Sequence, residues 1–159
     1  LRNLGLQTDY RFPNRPIEGH GLQLRIINEA IEKNYGLIIT TDCGTKDCDA
    51  VTYANEKGID VIITDHHILG SKLPNAVALI NPYLHEKDTD FQKVSGSVIS
   101  YMFCRTLYDK FNVDLPENLD ELCLICAMFG IISDRVPMTI PINRLIVSLA
   151  IEFYKKNRT

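Results

Sequence analysis

The sequence predicts an α/β fold, a parallel sheet flanked by helices with an added helical subregion. Three observations carry this. Short runs rich in β-branched residues stand at Leu37–Thr41, Ile59–Thr64 and Ala76–Ile80, the pattern of strands buried on both faces. A helical pattern, Asp47–Lys57, lies between the first two runs, so strand and helix alternate as a βαβ unit requires. After Pro82 the strand pattern stops, and Val98–Phe111, Leu119–Ile132 and Ile142–Tyr154 all read as helices with polar loops between them.

Taken in order, Leu1–Leu6 reads like the last turn of a helix, with Gly5 near a C-cap. Thr8–Pro13 reads as a short strand stopped by Pro13. Arg15–Gly21 reads as a loop whose two glycines permit unusual dihedrals. From Leu22 to Asn34 the residues Leu22, Ile26, Ile27, Ala30 and Ile31 recur at helical spacing, and Gly36 closes that unit. In Asp47–Lys57 the inward positions are Ala50, Val51 and Ala54, with Gly58 at the C-terminus. The right-handed crossover rule places neighbouring helices on the faces of the sheet. No linker is visible between the α/β half and the helical half.

Composition bounds what such a chain does. At 159 residues it has the size of one domain, and 45% hydrophobic against 23% charged residues excludes a disordered tail. A net charge of −3 leaves no global basic field with which to grip a polyanion. No apolar run approaches the ~20 residues that span a bilayer, so no membrane association is expected. Five cysteines, an odd number without tight spacing, point to a reducing, cytoplasmic setting. The pair Cys123 and Cys126 falls inside a helical pattern with no second pair at zinc-ribbon spacing, so buried thiols are expected there.

In an open parallel sheet, ligands bind at the carboxyl ends of the strands. Two successive strands here end in residues that bind metals. The first delivers Asp42-Cys43-Gly44 and the second Asp65-His66-His67, at an interval that fits one strand–helix–strand step. A third candidate, Asp134, follows the helix Leu119–Ile132. An Asp-His-Asp set mixes hard oxygen with imidazole nitrogen, which suits Mn²⁺, Fe²⁺, Co²⁺ or Zn²⁺. A carboxylate can also bridge two ions, the arrangement that hydrolyses phosphate esters. Other readings stay open at this point: Asp42 as a turn former, and the adjacent histidines as surface residues.

Asp65-His66-His67 after a β-branched strand resembles the signature of the DHH phosphoesterase superfamily. Asp42-Cys43-Gly44 matches its second motif, and Gly130–Met138 resembles its fourth, Gly-x-x-x-Asp-x-Val-Pro-Leu. Three further stretches are similar to the RecJ-like branch of single-strand-specific exonucleases: Phe12–Leu22, Leu73–Ala76 through Asn81-Pro82, and Asn143-Arg144. The family's first motif, a paired-aspartate loop, and its C-terminal substrate domain have no counterpart here. The chain is therefore expected to be part of one catalytic domain of a larger enzyme, with the missing strand lying between those at Tyr10 and Ile38, and to be inactive or nearly so by itself.

The resemblance implies roles. Asp42, His66 and Asp134 are the expected metal ligands for Mn²⁺ or Mg²⁺ in a two-metal site, converging at the carboxyl rim of the sheet. His67 is expected to face the scissile phosphate, and Asp65 to orient the histidines. Arg15 and Arg144 are candidates for binding substrate phosphate, or else for a structural ion pair. Gly96, between Ser95 and Ser97, offers either anion-binding amides or close packing. The implied activity is hydrolysis of phosphodiester bonds in single-stranded DNA from a 5′ end. Implied partners are a single-strand-binding protein and a helicase. The rivals are a DHH phosphoesterase acting on short RNA or a cyclic dinucleotide, and a non-catalytic scaffold of a replication complex.

Overall fold

A computed structural model of the chain describes residues 1–85 and 89–156. The last three residues of the run Lys155–Thr159 lie outside the described residues. The chain forms two compact units that divide between Asn81 and Pro82, where the sequence pattern changes from strands to helices.

In the first unit, β1 (Leu37–Thr41), β2 (Asp60–Thr64) and β3 (Ala78–Ile80) form a parallel sheet in that order. Thr41 stands opposite Thr64, and Thr64 opposite Ile80. The three carboxyl ends are therefore flush, and the residues that follow them stand abreast. Backbone hydrogen bonds extend the ladder one step further, from Asp42 N–H to the Thr64 carbonyl at 2.9 Å and from Asp65 N–H to the Ile80 carbonyl at 3.0 Å. Three helices accompany the sheet: α1 (Arg15–Glu18), α2 (Leu24–Glu32) and α3 (Cys48–Glu56). Ile27 of α2, Val51 and Ala54 of α3 and Val61 and Ile63 of β2 have no exposed surface and make the centre of the core. Burying each of the valine and isoleucine side chains among them contributes about 1.5–3 kcal/mol. Asn34, in the left-handed region at φ 57°, turns the chain out of α2 ahead of Gly36.

Three expectations need correction here. Thr8–Pro13 forms no strand; Tyr10 and Phe12 are 78% and 79% exposed and touch only through their tilted rings. A strand exists through its partner, and among the described residues no backbone pairs with this segment. It is fastened instead by Arg11, which bonds Glu29 at 2.9 Å and Glu18 at 2.5 Å. The loop Arg15–Gly21 contains the four-residue α1, because Pro16 pre-sets the helical φ and the Glu18 carboxylate accepts the Asn14 N–H at 2.6 Å. Finally, β2 and β3 are joined without a helix, residues 65–77 being irregular.

The second unit holds α4 (Gly96–Lys110), α5 (Glu117–Ser133) and α6 (Pro141–Lys156), with α5 packed on both others. Its buried side chains include Val98, Tyr108, Leu124, Ile131 and Ile146. Asn143, fully buried, donates through Nδ2 to the carbonyls of Lys93 and Pro137, each at 3.0 Å, and so ties the entries of α4 and α6 together. The thiol expectation is corrected: Cys123 is half-buried and Cys126 exposed. Helix α5 is apolar around its whole circumference, with Leu122, Phe129 and Ile132 also exposed, so periodicity could not say which face turns inward.

Helices α4 and α5 approach closely at Gly130. A Cβ there would stand 1.8 Å from Ser97 Oγ and 2.5 Å from Ser97 Cβ. Gly130→Ala should therefore cost ~1–3 kcal/mol of stability, the usual penalty of overpacking. Urea unfolding of the whole chain measures it, and an unchanged midpoint would mean that the helices do not meet there.

Candidate metal centre

Flush strand ends bring Asp42, Asp65 and Asn81 side by side, and two residues beyond Asp65 the chain reaches His67. Asp42 opens the β1 loop in the left-handed region, at φ 63°. For a residue with a Cβ this costs about 1–2 kcal/mol, which aspartate tolerates better than most. Gly44 follows at φ +113°, and a Cβ on it would meet Thr40 Oγ1 at 2.8 Å and Ile63 Cγ2 at 3.0 Å. Both the dihedral and the space require glycine. The loop then closes through Thr40 Oγ1, which donates to the Cys43 carbonyl at 2.7 Å.

Asp42, His66 and His67 form the one group among the described residues that could hold a metal ion, their ligand atoms lying within 4.8 Å of one another. Asp42 Oδ1 is buried and makes no hydrogen bond, although the side chain as a whole is 42% exposed. His66 Nε2 stands 3.1 Å from that oxygen, outside hydrogen-bonding geometry. A buried, unsatisfied carboxylate oxygen facing an imidazole nitrogen is costly in a bare protein. The same pair is a natural seat for a divalent cation of intermediate hardness. The donor set therefore fits the expected metal.

Asp65 holds this arrangement from below. It is 1% exposed. Its Oδ2 accepts the Thr45 backbone N–H at 3.0 Å. Its Oδ1 accepts the His66 N–H at 2.8 Å, the His67 N–H at 3.3 Å and, from the ring, His67 Nδ1 at 2.6 Å. Burial pushes the Asp65 pKa up, but the bonds from Thr45 and His67 outweigh it and hold the carboxyl below the usual aspartate value. An acceptor so surrounded makes His67 Nδ1 the donor, which leaves Nε2 to face outward from a ring that is 56% exposed. The two imidazole rings lie 4.8 Å apart, tilted by 58°.

The neighbourhood is acidic. Burial first, and then the charges of Asp47, Asp65 and Asp42, push the Cys43 thiol up to about 11, while Arg15 pulls the other way. Arg15, at the start of α1, is thus close enough for its charge to be felt beside Asp42, and it makes no ion pair among the described residues. Asp134 is the C-cap of α5 and exposed, and Arg144 is exposed on α6; both belong to the second unit. Gly96 is the buried first residue of α4, beside the bonded hydroxyls of Ser95 and Ser97 at 2.8 Å.

Several residues that shape the site escaped the sequence reading. Thr45, Asn81 and Asp47 are among them. Asp47 Oδ2 accepts the Leu22 N–H at 2.6 Å, so close to Gly21 that a Cβ there would lie 2.5 Å from it. Asn81 did carry a signal, since it follows its strand just as Asp42 and Asp65 follow theirs. Glu18 is a fourth: its carboxylate, 7% exposed, lies between Arg11 and Arg25.

Comparison with known proteins places the chain. Residues 1–131 match the model of the DHH family, N-terminal domain. The single-stranded-DNA-specific exonuclease RecJ of Haemophilus influenzae is 34% identical over 145 residues, covering 87% of this chain and 25% of that protein. Its Bacillus subtilis counterpart is 34% identical over 152 residues, 96% of this chain and 18% of that protein. A solved structure of exonuclease RecJ bound to manganese superposes with a TM-score of 0.80 at 26% identity, over 94% of this chain and 36% of that one. The chain belongs to the DHH family and is homologous to RecJ exonucleases. It spans about a quarter or less of the length of these curated relatives.

Two outcomes test this geometry. At pH 8, iodoacetamide should label the exposed Cys126 well before Cys43, whose thiolate fraction at a pKa of about 11 is ~10⁻³; mass spectrometry of peptides reads the order. The second concerns acid. Because the folded pKa of Asp65 is depressed, its stabilisation is complete above the ordinary aspartate value and is lost as pH falls through the folded one. Asp65→Asn should cost ~2 kcal/mol or more at pH 7. Its deficit against the wild type should shrink steadily below pH ~3.9, as followed by urea unfolding across pH.

Proposed function

We propose that this chain carries the catalytic centre of a metal-dependent phosphodiesterase that acts on single-stranded DNA, releasing nucleotides from a 5′ end as part of a longer polypeptide. One observation carries the metal reading: the buried Asp42 Oδ1, without a hydrogen bond, facing His66 Nε2 at 3.1 Å. The relatives supply the substrate class, being named as single-stranded-DNA-specific exonucleases, and the solved neighbours supply manganese.

Asp42 and His66 would hold the ion in this reading. When bound, manganese supplies Lewis-acid polarisation of the phosphate and activation of water at neutral pH. The chain's own groups do the rest. Asp65 keeps the His67 proton on Nδ1 and fixes the ring. His67 Nε2, on the exposed side, then meets the phosphoryl oxygens, and in the imidazolium form it donates a hydrogen bond to the charge that builds on them. Arg15 adds a forked donor for a phosphate on the same unit. The acidic charge around Asp42 repels a bare phosphodiester, so productive binding of the strand depends on the cation and on Arg15.

Calorimetric titration of the chain with Mn²⁺ tests the ligand assignment. The wild type should bind. Asp42→Ala and His66→Ala should each weaken binding at least tenfold, the scale on which even outer-shell changes act. His67→Ala should leave the affinity largely intact. In a polypeptide extended to the relatives' length, His67→Ala should lower kcat and kcat/KM together by ~10²–10³-fold on single-stranded DNA. A wild-type chain that takes up no Mn²⁺ would end the metal reading, and an extended enzyme that prefers short RNA or a cyclic dinucleotide would end the substrate reading.

A further inference from the structure

The residue that follows β3 has no role in the chemistry above, yet it lies at the centre of the site's hydrogen bonding. Asn81 is 3% exposed, and Thr45, its neighbour, is fully buried. From one amide nitrogen, Asn81 Nδ2 donates to Thr45 Oγ1 at 3.0 Å and to the His67 carbonyl at 2.9 Å. Thr45 belongs to the loop after β1, His67 to the loop after β2, and Asn81 itself to the end of β3. A single side chain thus cross-braces all three strand-end loops.

The direction of these bonds is fixed by chemistry. An amide NH₂ can only donate, so the Thr45 hydroxyl must accept from Asn81 and turn its own proton elsewhere. Thr45 is itself tied to Asp65, whose Oδ2 accepts the Thr45 backbone N–H at 3.0 Å. Asp65 in turn receives the His66 and His67 backbone N–H groups and the His67 ring. Asn81 thus holds the side chain of the residue whose backbone N–H holds Asp65, and Asp65 also meets the donors arriving from the histidines.

We propose that Asn81 is a positioning residue for the histidine pair. Acting through Thr45 and the His67 carbonyl, it sets the path of the Asp65–His67 loop and keeps the proton of the His67 ring on Nδ1. The proposal rests on the metal reading above for its consequence, namely that His66 is held at its spacing from Asp42. It does not rest on that reading for the brace itself. The preference for the amide is specific. Aspartate at this position has nearly the same shape but offers only acceptors, so the bond to the His67 carbonyl is lost and the Thr45 hydroxyl stays bonded only by turning its proton to position 81.

The test uses the full chain with two readouts, Mn²⁺ affinity by calorimetry and the His67 Nδ1 proton by NMR of ring-¹⁵N-labelled protein at fixed pH. Asn81→Asp and Thr45→Val should each weaken Mn²⁺ binding by ~10-fold or more and broaden or abolish the Nδ1 proton signal. Thr45→Ser, which restores the hydroxyl, should rescue both losses seen with Thr45→Val. Should Asn81→Asp fail to fold, Thr45→Val and its serine rescue carry the test, because the backbone N–H to Asp65 survives in both. Folded variants that keep wild-type Mn²⁺ affinity and the Nδ1 signal, with only a lower Tm, would overturn the proposal. A wild-type chain that binds no Mn²⁺ would overturn the metal reading instead, and the NMR signal would still decide whether Asn81 sets the His67 proton.

Discussion

One buried carboxylate sets the geometry of the candidate centre. Asp65, 1% exposed, gathers N–H groups from the loop after β1, from its own two successors and from the His67 ring. Charge-assisted bonds of this kind are roughly twice as strong as neutral ones, and removing the acceptor would leave several buried donors unpaired. The carboxylate cannot itself serve as a ligand while its oxygens are so occupied. Its negative charge holds the His67 ring and the backbone N–H groups of both histidines.

The sheet makes that possible. Parallel strands in flush register deliver Asp42, Asp65 and Asn81 at one level, and hydrogen bonds beyond the last paired residues keep the first two from drifting apart. Thr64 Oγ1 donates to the Thr40 carbonyl at 2.8 Å, which fastens β1 to β2 through a side chain just below the site. Strands of three to five residues are short, so much of their alignment rests on these polar ties rather than on length alone.

What could be read in the sequence follows from this. Leu37–Thr41 was legible to the residue because its apolar and β-branched run suits a strand, although the structure leaves Leu37 and Thr41 exposed, and α3 because Ala50, Val51 and Ala54 share one face. The histidines and Asp42 were legible because strand ends expose chemistry in a known place. Thr8–Pro13 was misread because a strand is a relation between two segments, and its alternation says nothing about whether a partner is at hand. Cys126 was misread because α5 is apolar all round. Thr45 and Asn81 were not legible as a pair. They bond across 36 positions, and no local pattern encodes which threonine an asparagine will meet.

The remaining question is why a small unit would tolerate Asp42 as it stands. Its backbone is left-handed, and one of its oxygens is buried without a hydrogen bond. Each feature costs on the order of 1–3 kcal/mol, a large part of the stability of any domain of this size. His66 Nε2 stands 3.1 Å from that oxygen without making a hydrogen bond, and the bonds of Asp65 and Asn81 hold the Asp65–His67 loop in place. Strain that the surroundings over-determine is a mark of function rather than of poor packing. The brace and the strained carboxylate are then two halves of one device. The brace holds His66 Nε2 at 3.1 Å from the unbonded Asp42 oxygen, the arrangement on which the proposed metal site rests.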